Sequence, residues 1–244
     1  MKKIMICITA VLICLGALAQ KSRYDSVAIL IIDRMSDVIS DLEACSFKLK
    51  TAQDISDHSS GMTKRFTDYE VFMSGPTKMM VNANGYKGHR TFRYNGEQLA
   101  FYSFDEHNYA VMPGNSNIIA TMDSINKFYD IEFPAADFFY PAFTDDLIEN
   151  ADSIIFLGRE MIGGKEYFHI QASGKERDFQ FWIHNDAYAL PGIFSVTYKL
   201  QEGTPQYLAI FSDWQVNPNL PSAMFDFEPP PGSRKIRLMA KNEK

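Results

Sequence analysis

Residues 78–104, KMMVNANGYKGHRTFRYNGEQLAFYSF, contain three runs in which apolar and polar residues alternate, separated by two Asn-Gly pairs. Alternation with a period of two is typical of half-buried β-strands. Asn-Gly between such runs is the strongest short-range hairpin signal, because both turn residues need a positive φ. The stretch therefore predicts an antiparallel meander with strands at 78–83, 89–94 and 98–104 and turns at Asn84-Gly85 and Asn95-Gly96.

Strand patterns continue on both sides of this meander. Before it, alternation covers residues 47–51 and 64–73, and directly after it a short run covers 109–112. A second group of runs covers 153–162, 165–172, 177–184, 191–199 and 206–215, and Gly163-Gly164 joins the first two as a hairpin. Two blocks of antiparallel strands are therefore expected.

Helical patterns precede the first block and separate the two blocks. Val27, Ile31, Met35, Val38 and Leu42 recur at helical spacing, and Asp25 and Ser26 are candidate N-terminal caps. Between the blocks we expect a helix over 117–129, a short helix at 134–138 with proline in its first turn, and another over 144–150 capped by Thr144. The pattern predicts an α+β protein with a single large curved antiparallel sheet.

The N-terminal 19 residues have the features of a cleavable signal peptide. Lys2 and Lys3 precede an apolar run over 4–15, and Ala17-Leu18-Ala19 fits a cleavage site. Cys14 follows Ile13 rather than a small residue, so we expect no lipidation. The run is too short to span a membrane, so no stable membrane insertion is expected. The sequence predicts a periplasmic protein with one domain over residues 20–237 and a basic polar tail over 238–244.

Charge and cysteine content exclude several classes of partner and bond. Removal of Lys2 and Lys3 with the leader changes the formal net charge from −6 to −8, which argues against nucleic-acid binding. Cys45 is the one cysteine outside the leader, so no internal disulfide can form. Its apolar neighbours indicate a structural thiol rather than a reactive one.

A search of the sequence for catalytic or cofactor-binding motifs finds only weak matches. GREMIGGK at 158–165 has Arg159 where a phosphate loop needs its glycine, and Glu166 replaces the hydroxyl residue after the lysine. The five histidines are too scattered for a metal motif. Asp105-Glu106-His107 reads better as a solvated turn, and its burial in one cleft would instead favour a hydrolase. We expect no catalytic or metal-binding residue, no cofactor and no enzymatic activity.

Apolar strand residues are the remaining candidates for function, since aromatics make up 14% of the chain. An ordinary core would explain most of them, but large curved sheets and barrels frequently enclose an apolar ligand cavity. Strand parity is critical here, because a slip of one residue reverses the face of a whole strand. The candidate cavity residues are Phe47, Leu49, Val71, Met79, Val81, Phe92, Tyr94, Phe101, Trp182, Phe194, Val196 and Trp214. The candidate lid contacts are Ile31, Met35, Ile125 and Phe138.

The C-terminal stretch carries the clearest resemblance to a known family. It contains Asp213-Trp214, Asn217-Pro218, Leu220-Pro221, Phe225-Asp226-Phe227, Pro229-Pro230 and Gly232 in that order. Matching motifs upstream are Phe47, Gly75-Pro76, Tyr94-Asn95-Gly96, Tyr109, residues 133–137, Gly158-Arg159-Glu160, Gly164, Phe181-Trp182-Ile183 and Leu190-Pro191. Together they resemble a family of predicted periplasmic proteins of unknown function. That family is grouped with the LolA/LolB lipoprotein carriers and the mycobacterial LppX-type lipid-binding proteins.

The resemblance covers residues from about 25 to 237 and implies an unclosed β-barrel whose concave, hydrophobic face is covered by helices. Gly75 and Asn95 replace charged residues of the family pattern, which weakens the transfer of any charged role. The resemblance implies a periplasmic carrier, which we expect to be monomeric, for a lipid, an acyl chain or a lipidated protein. The alternative is an envelope structural or assembly factor with a filled core that acts on other envelope proteins. We also expect Pro229–Pro231, which lack backbone donors, to end the sheet at an open edge.

Overall fold

One twelve-stranded sheet forms the frame of the protein in a computed structural model that describes residues 23–57, 61–129 and 131–241. The strands are β1 (Ala44–Asp57), β2 (Gly61–Ser74), β3 (Lys78–Gly85), β4 (Gly88–Tyr94), β5 (Gln98–Ser103), β6 (Asn108–Pro113), β7 (Ser153–Ile162), β8 (Lys165–Ser173), β9 (Arg177–His184), β10 (Pro191–Tyr198), β11 (Gln206–Val216) and β12 (Arg234–Lys235). Their spatial order is β12-β6-β5-β4-β3-β2-β1-β11-β10-β9-β8-β7. The predicted α+β class with a single large unclosed antiparallel sheet is confirmed, β12 being the parallel exception.

A pairing between the first and the eleventh strand joins the two predicted blocks. β1 runs antiparallel to β11, with Leu49 opposite Phe211 and Thr51 opposite Ala209. On the other side of β1, the strands β2 to β6 follow as the predicted meander. The sheet is therefore continuous, although its two halves are separated in sequence by the helical segment.

The first predicted turn of the meander is displaced by two residues. Gly85 pairs with Gly88, so Tyr86-Lys87 forms the turn and Asn84-Gly85 belongs to β3. A Cβ on Gly85 would lie 2.6 Å from the carbonyl oxygen of Phe66. The glycine is therefore needed for a close approach between β3 and β2, and not for the turn.

Three α-helices lie between or before the strands: α1 (Ser26–Ser40), α2 (Ile118–Tyr129) and α3 (Phe143–Asn150). The predicted cap of α1 is present, because the backbone N–H of Val27 donates to Asp25 Oδ1 at 2.9 Å. Thr144 lies inside α3 rather than at its cap, a position held by Ala142. Among the described residues no helix is both long and apolar enough to cross a membrane.

The buried stripe of α1 differs from the predicted one by one position. Ala28, Ile32, Met35 and Ile39 face the core, whereas Val27 is 48% exposed. Residues 27–32 are all apolar, so helical periodicity could not choose between the two neighbouring stripes. The helix α1 therefore contacts the core through Ile32, and Ile31 packs against the edge of the same core.

The C-terminal segment contradicts the expected role of the three prolines. After β11 the chain forms a 3-10 turn at Ser222–Phe225, and beyond the prolines β12 pairs with the edge strand β6. The backbone N–H of Ser233 donates to the carbonyl of Pro230 at 3.0 Å. The prolines therefore lead into a turn that returns the chain to the sheet, instead of ending the ladder.

The leader and the C-terminal tail are the two parts of the predicted organisation that lie beyond the predicted domain. The leader, residues 1–19, falls on residues that the structure does not describe. Within the predicted polar tail, Leu238 packs against the main core, so part of that segment contributes to the fold.

Candidate functional site

One face of the sheet, which we call the inner face, brings together most of the predicted cavity residues. It carries the main cluster of buried side chains, against which the helices pack. Phe47, Leu49, Val71, Met79, Val81, Phe92, Tyr94, Phe194 and Val196 belong to this cluster, and Phe101 and Trp214 pack against it.

Trp182 is the exception, since it lies on the opposite, outer face. Its ring stacks on His169 with centroids 4.2 Å apart, and its indole N–H donates to Glu160 Oε2 at 2.8 Å. The flanking residues Phe181 and Ile183 are buried in the main cluster instead. Three apolar residues in succession concealed the parity of β9, so the assignment of Trp182 to the cavity is corrected.

The predicted lid contacts lie over the inner face. Met35, Ile125 and Phe138 are fully buried in the cluster, and Ile31 packs against its margin. The residues that sequence reasoning missed are mainly Phe181, Phe211 and Ile170, which are buried there as well. The alternation of Phe179, Phe181 and Ile183 was the signal that could have identified the inner face of β9.

The centre of the inner face is occupied by rings from the segment between α2 and α3. Phe138 lies on the 3-10 turn Ala136–Phe139, and its ring centroid is 5.2 Å from that of Phe194 and 5.6 Å from that of Phe211. Phe139 stacks on Phe47 at 6.0 Å. Phe133 meets the ring of Phe92 edge-on at 5.3 Å. We call Phe133, Phe138 and Phe139 the aromatic cover.

The backbone of the aromatic cover is held by local hydrogen bonds. The N–H of Phe138 donates to the carbonyl of Ala135 at 3.4 Å, and the N–H of Tyr140 donates to that of Asp137 at 3.2 Å. Ala135 has a φ of 58°, a conformation that costs energy for a residue with a Cβ. The cover is thus a short turn seated on the sheet by its side chains.

Two surface grooves are lined by residues other than those of the aromatic cover. One, of about 480 Å³, runs along β1, β2 and β3, and its lining includes Lys48, Lys50, Asp68 and Glu70. The other, of about 470 Å³, lies beside the loop after β9 and is lined in part by Lys165, His184 and Asp186. Mixed charges in the first groove are typical of a solvated sheet surface with cross-strand ion pairs. One such pair joins Lys50 Nζ to Asp68 Oδ1 at 3.4 Å.

The groups considered for catalysis are dispersed. Asp105, Glu106 and His107 are all exposed at the turn before β6, and so do not meet the condition that would favour a hydrolase. The described residues contain no group of three or more His, Cys, Asp or Glu side chains that could hold a metal ion. Burial raises the pKa of the Cys45 thiol to about 12, which makes this side chain structural, as predicted.

Comparison with solved structures shows the same fold at low sequence identity. The lipoprotein LppX of Mycobacterium tuberculosis is 13% identical, with a TM-score of 0.50 over 81% of this chain and 99% of its own. An uncharacterized conserved protein of Thermus thermophilus is 11% identical, with a TM-score of 0.50 over 86% of this chain and 99% of its own. No curated protein matches the sequence.

A model of a protein family also matches the sequence. It matches residues 28–239, and its description as a predicted periplasmic protein agrees with the location that the leader predicts. The match covers most of the chain, including the helices, the sheet and the C-terminal segment. The chain therefore belongs to this family of predicted periplasmic proteins, DUF2092.

Proposed function

We propose that the protein binds and carries the acyl chain of a lipid or a lipidated protein in the periplasm. In this proposal the acyl chain takes the place of the aromatic cover on the inner face. The observation that carries it is the cover itself, in which a short turn with local hydrogen bonds inserts Phe138 among the rings of the sheet. The fold shared with LppX is consistent with the proposal.

The free energy of replacing the aromatic cover with an acyl chain is favourable when the chain is long. Full burial of a phenylalanine side chain contributes about 1.5–3 kcal/mol, and of the three rings only that of Phe138 is fully buried. Moving the three rings of the cover into water therefore costs at most roughly 5–9 kcal/mol. A chain of about fifteen methylenes gains roughly 12 kcal/mol at about 0.8 kcal/mol each. Long chains can therefore displace the cover, whereas chains of about six methylenes, which gain roughly 5 kcal/mol, cannot do so with a useful margin.

Binding of a fluorescent fatty acid and of a triacylated peptide to delipidated protein tests the proposal. We expect saturable binding, and the loss of the Phe138 ring in Phe138→Ala should strengthen it by vacating space on the inner face. Phe66→Ala is the matched control, because Phe66 is 57% exposed. That control should bind like the unmodified protein.

The Phe138 variant also needs a stability check, since truncation of a buried phenylalanine costs about 3–5 kcal/mol. Phe138→Leu leaves a smaller cavity and gives a second variant that is easier to fold. Absence of saturable binding by the folded, delipidated wild-type protein would reject the carrier proposal.

The packed inner face also supports a second candidate, an envelope assembly factor that acts through its surface. The rings of the aromatic cover already fill the centre of the inner face, and Phe66 and Ile210 are exposed elsewhere. Native mass spectrometry of protein taken from its own envelope separates the two candidates. A retained lipid favours the carrier, and a retained protein without lipid favours the assembly factor.

A further inference from the structure

We propose that one end of the inner face is a subsite for an anionic headgroup, a carboxylate or a phosphate, on the acyl ligand. Four residues form this subsite, which we call the headgroup row: Tyr69, Arg90, Ser103 and Asn108. The inference rests on the proposed function, because the headgroup belongs to the same amphiphile whose chain replaces the aromatic cover.

The register of the sheet places the headgroup row in one line across five strands. Tyr69 pairs with Ala83, Ala83 with Arg90, Arg90 with Ser103, and Ser103 with Asn108. Residues paired directly across antiparallel strands share a face of the sheet. The row therefore lies on the face that carries Leu49, since Leu49 pairs with Tyr69.

The next row on the same face is apolar. It consists of Val71, Val81, Phe92, Phe101 and Ala110, paired in the same way. Residues two positions apart in a strand are separated by about 7 Å, so the face changes from apolar to polar within one such step. An acyl chain on the apolar row would bring its polar end to the headgroup row.

Two polar atoms of the headgroup row lack hydrogen-bond partners among the described residues. Arg90 Nε, a donor, and Asn108 Oδ1, an acceptor, are both buried without a partner in the part of the chain that the structure describes, whereas Asn108 Nδ2 donates to Glu106 Oε2 at 2.6 Å. Arg90 is therefore the residue of the row that favours an anion. Arg90 also forms none of the ion pairs found among the described residues. A buried guanidinium N–H without an acceptor is costly, and an anionic oxygen is the acceptor that would satisfy it best.

Two cations lie at this end of the inner face, where the carboxylate of Glu106 is bonded to Asn108. Burial raises the pKa of Tyr69, while the charge of Arg90 acts in the opposite direction, so the two side chains lie within electrostatic range. Arg234 of β12 pairs in register with Asn108 and adds a second cation to the same edge. The acidic residues Glu132 and Asp137 act instead on Tyr198, in the other half of the sheet.

Binding of three twelve-carbon ligands tests the subsite: dodecanoate, dodecyl phosphate and methyl dodecanoate. By isothermal titration calorimetry below their micelle concentrations, both anions should bind the wild type at least about tenfold more tightly than the neutral ester. Arg90→Gln should remove this preference and leave the affinity for the ester unchanged. Comparing the two anions decides between a carboxylate and a phosphate headgroup.

Arg93→Gln is the matched control, because Arg93 belongs to the same strand, β4, but lies on the outer face. Its Nη1 donates to the carbonyl of Asp226 at 3.0 Å. It should keep the preference for anions. Arg90→Lys, which keeps the charge, should restore most of the preference lost in Arg90→Gln. Raising the salt concentration should weaken binding of the anions to the wild type and not that of the ester.

The outcomes separate the two proposals. Equal binding of anions and ester by the wild type, or an Arg90→Gln protein that keeps the preference, would overturn the headgroup subsite and leave the carrier function standing. If a folded wild type binds none of the three ligands and neither the fluorescent fatty acid nor the triacylated peptide, the carrier function fails and the subsite fails with it.

Discussion

His184 shows how close packing on the outer face can govern the charge of one side chain. Its ring centroid is 4.6 Å from that of Tyr167, and a Cβ on Gly192 would lie 3.2 Å from its Nε2. Burial lowers the pKa of His184, the charge of Asp186 raises it, and that of Lys165 lowers it. The net effect of folding is to favour the neutral imidazole.

This shift predicts a stability that falls as the pH is lowered. Above the unfolded-state pKa of about 6.5 the imidazole is neutral in both states and contributes no pH dependence. Below it the unfolded chain binds a proton before the folded protein does, so the free energy of unfolding decreases from about pH 7 toward pH 5.5. Urea denaturation of wild type and His184→Gln over this range measures the effect, and the variant should show a shallower slope.

His107→Gln is the control for the pH experiment, because His107 is exposed in the turn before β6. It should keep the wild-type slope. Equal slopes in wild type and His184→Gln would mean that other groups account for the pH dependence.

The sequence neighbours of a strand residue determine whether its face of the sheet can be predicted. Leu49 was assigned to the inner face because Lys48 and Lys50, its neighbours in sequence, fix the parity of its strand. Trp182 was misassigned because apolar residues flank it on both sides. The headgroup row could not be predicted at all, since Arg90 and Asn108 become neighbours through the register of three strands.

At the scale of elements, the C-terminal segment acts as a cover for the outer face of β3 to β6. Phe225 is 1% exposed, and Asp226 accepts hydrogen bonds from Arg93 Nη1 and Asn95 Nδ2, each at 3.0 Å. Lys78 Nζ donates to Ser222 Oγ at 2.8 Å. The segment is therefore attached to β3, to β4 and to the turn after β4, and Phe225 is its buried anchor.

Phe225→Ala should consequently destabilise the whole protein by about 3–5 kcal/mol, the usual cost of truncating a buried phenylalanine. Chemical denaturation followed by circular dichroism measures this. Phe128→Ala is the control, because Phe128 is 48% exposed on α2, and its effect should stay within about 0.5 kcal/mol. An unchanged denaturation midpoint in Phe225→Ala would mean that the C-terminal segment detaches independently of the sheet.

Element boundaries were predictable where alternation and turn residues agree. β9 was predicted at its observed bounds because polar residues mark both ends of its run, and β7 because Ser153 begins its run and Gly163-Gly164 ends it. The role of the three prolines was misjudged, because their lack of donors said nothing about the residues beyond them. The pairing of β12 with β6 depends on a contact between segments more than 120 residues apart, which local patterns do not encode.

At the scale of the whole molecule, several contacts tie the two strand blocks together. β1 pairs with β11 along most of its length, and Ala209 at this junction is fully buried. The chain before α1 reaches the far edge of the sheet, where the N–H of Asp25 donates to the carbonyl of Ile154 at 2.8 Å. The aromatic cover also spans the two blocks, since Phe139 stacks on Phe47 of β1 and Phe138 contacts Phe211 of β11.

These connections predict that the protein unfolds as one cooperative unit, in keeping with the single domain expected over residues 20–237. Calorimetry of the mature chain should give one transition with equal calorimetric and van't Hoff enthalpies. Hydrogen exchange in low denaturant should give the same opening free energy for peptides from β4–β5 and from β8–β9. Ala209→Pro removes a backbone donor at the junction and should lower both values together, whereas two separate transitions would show that the blocks fold as independent units.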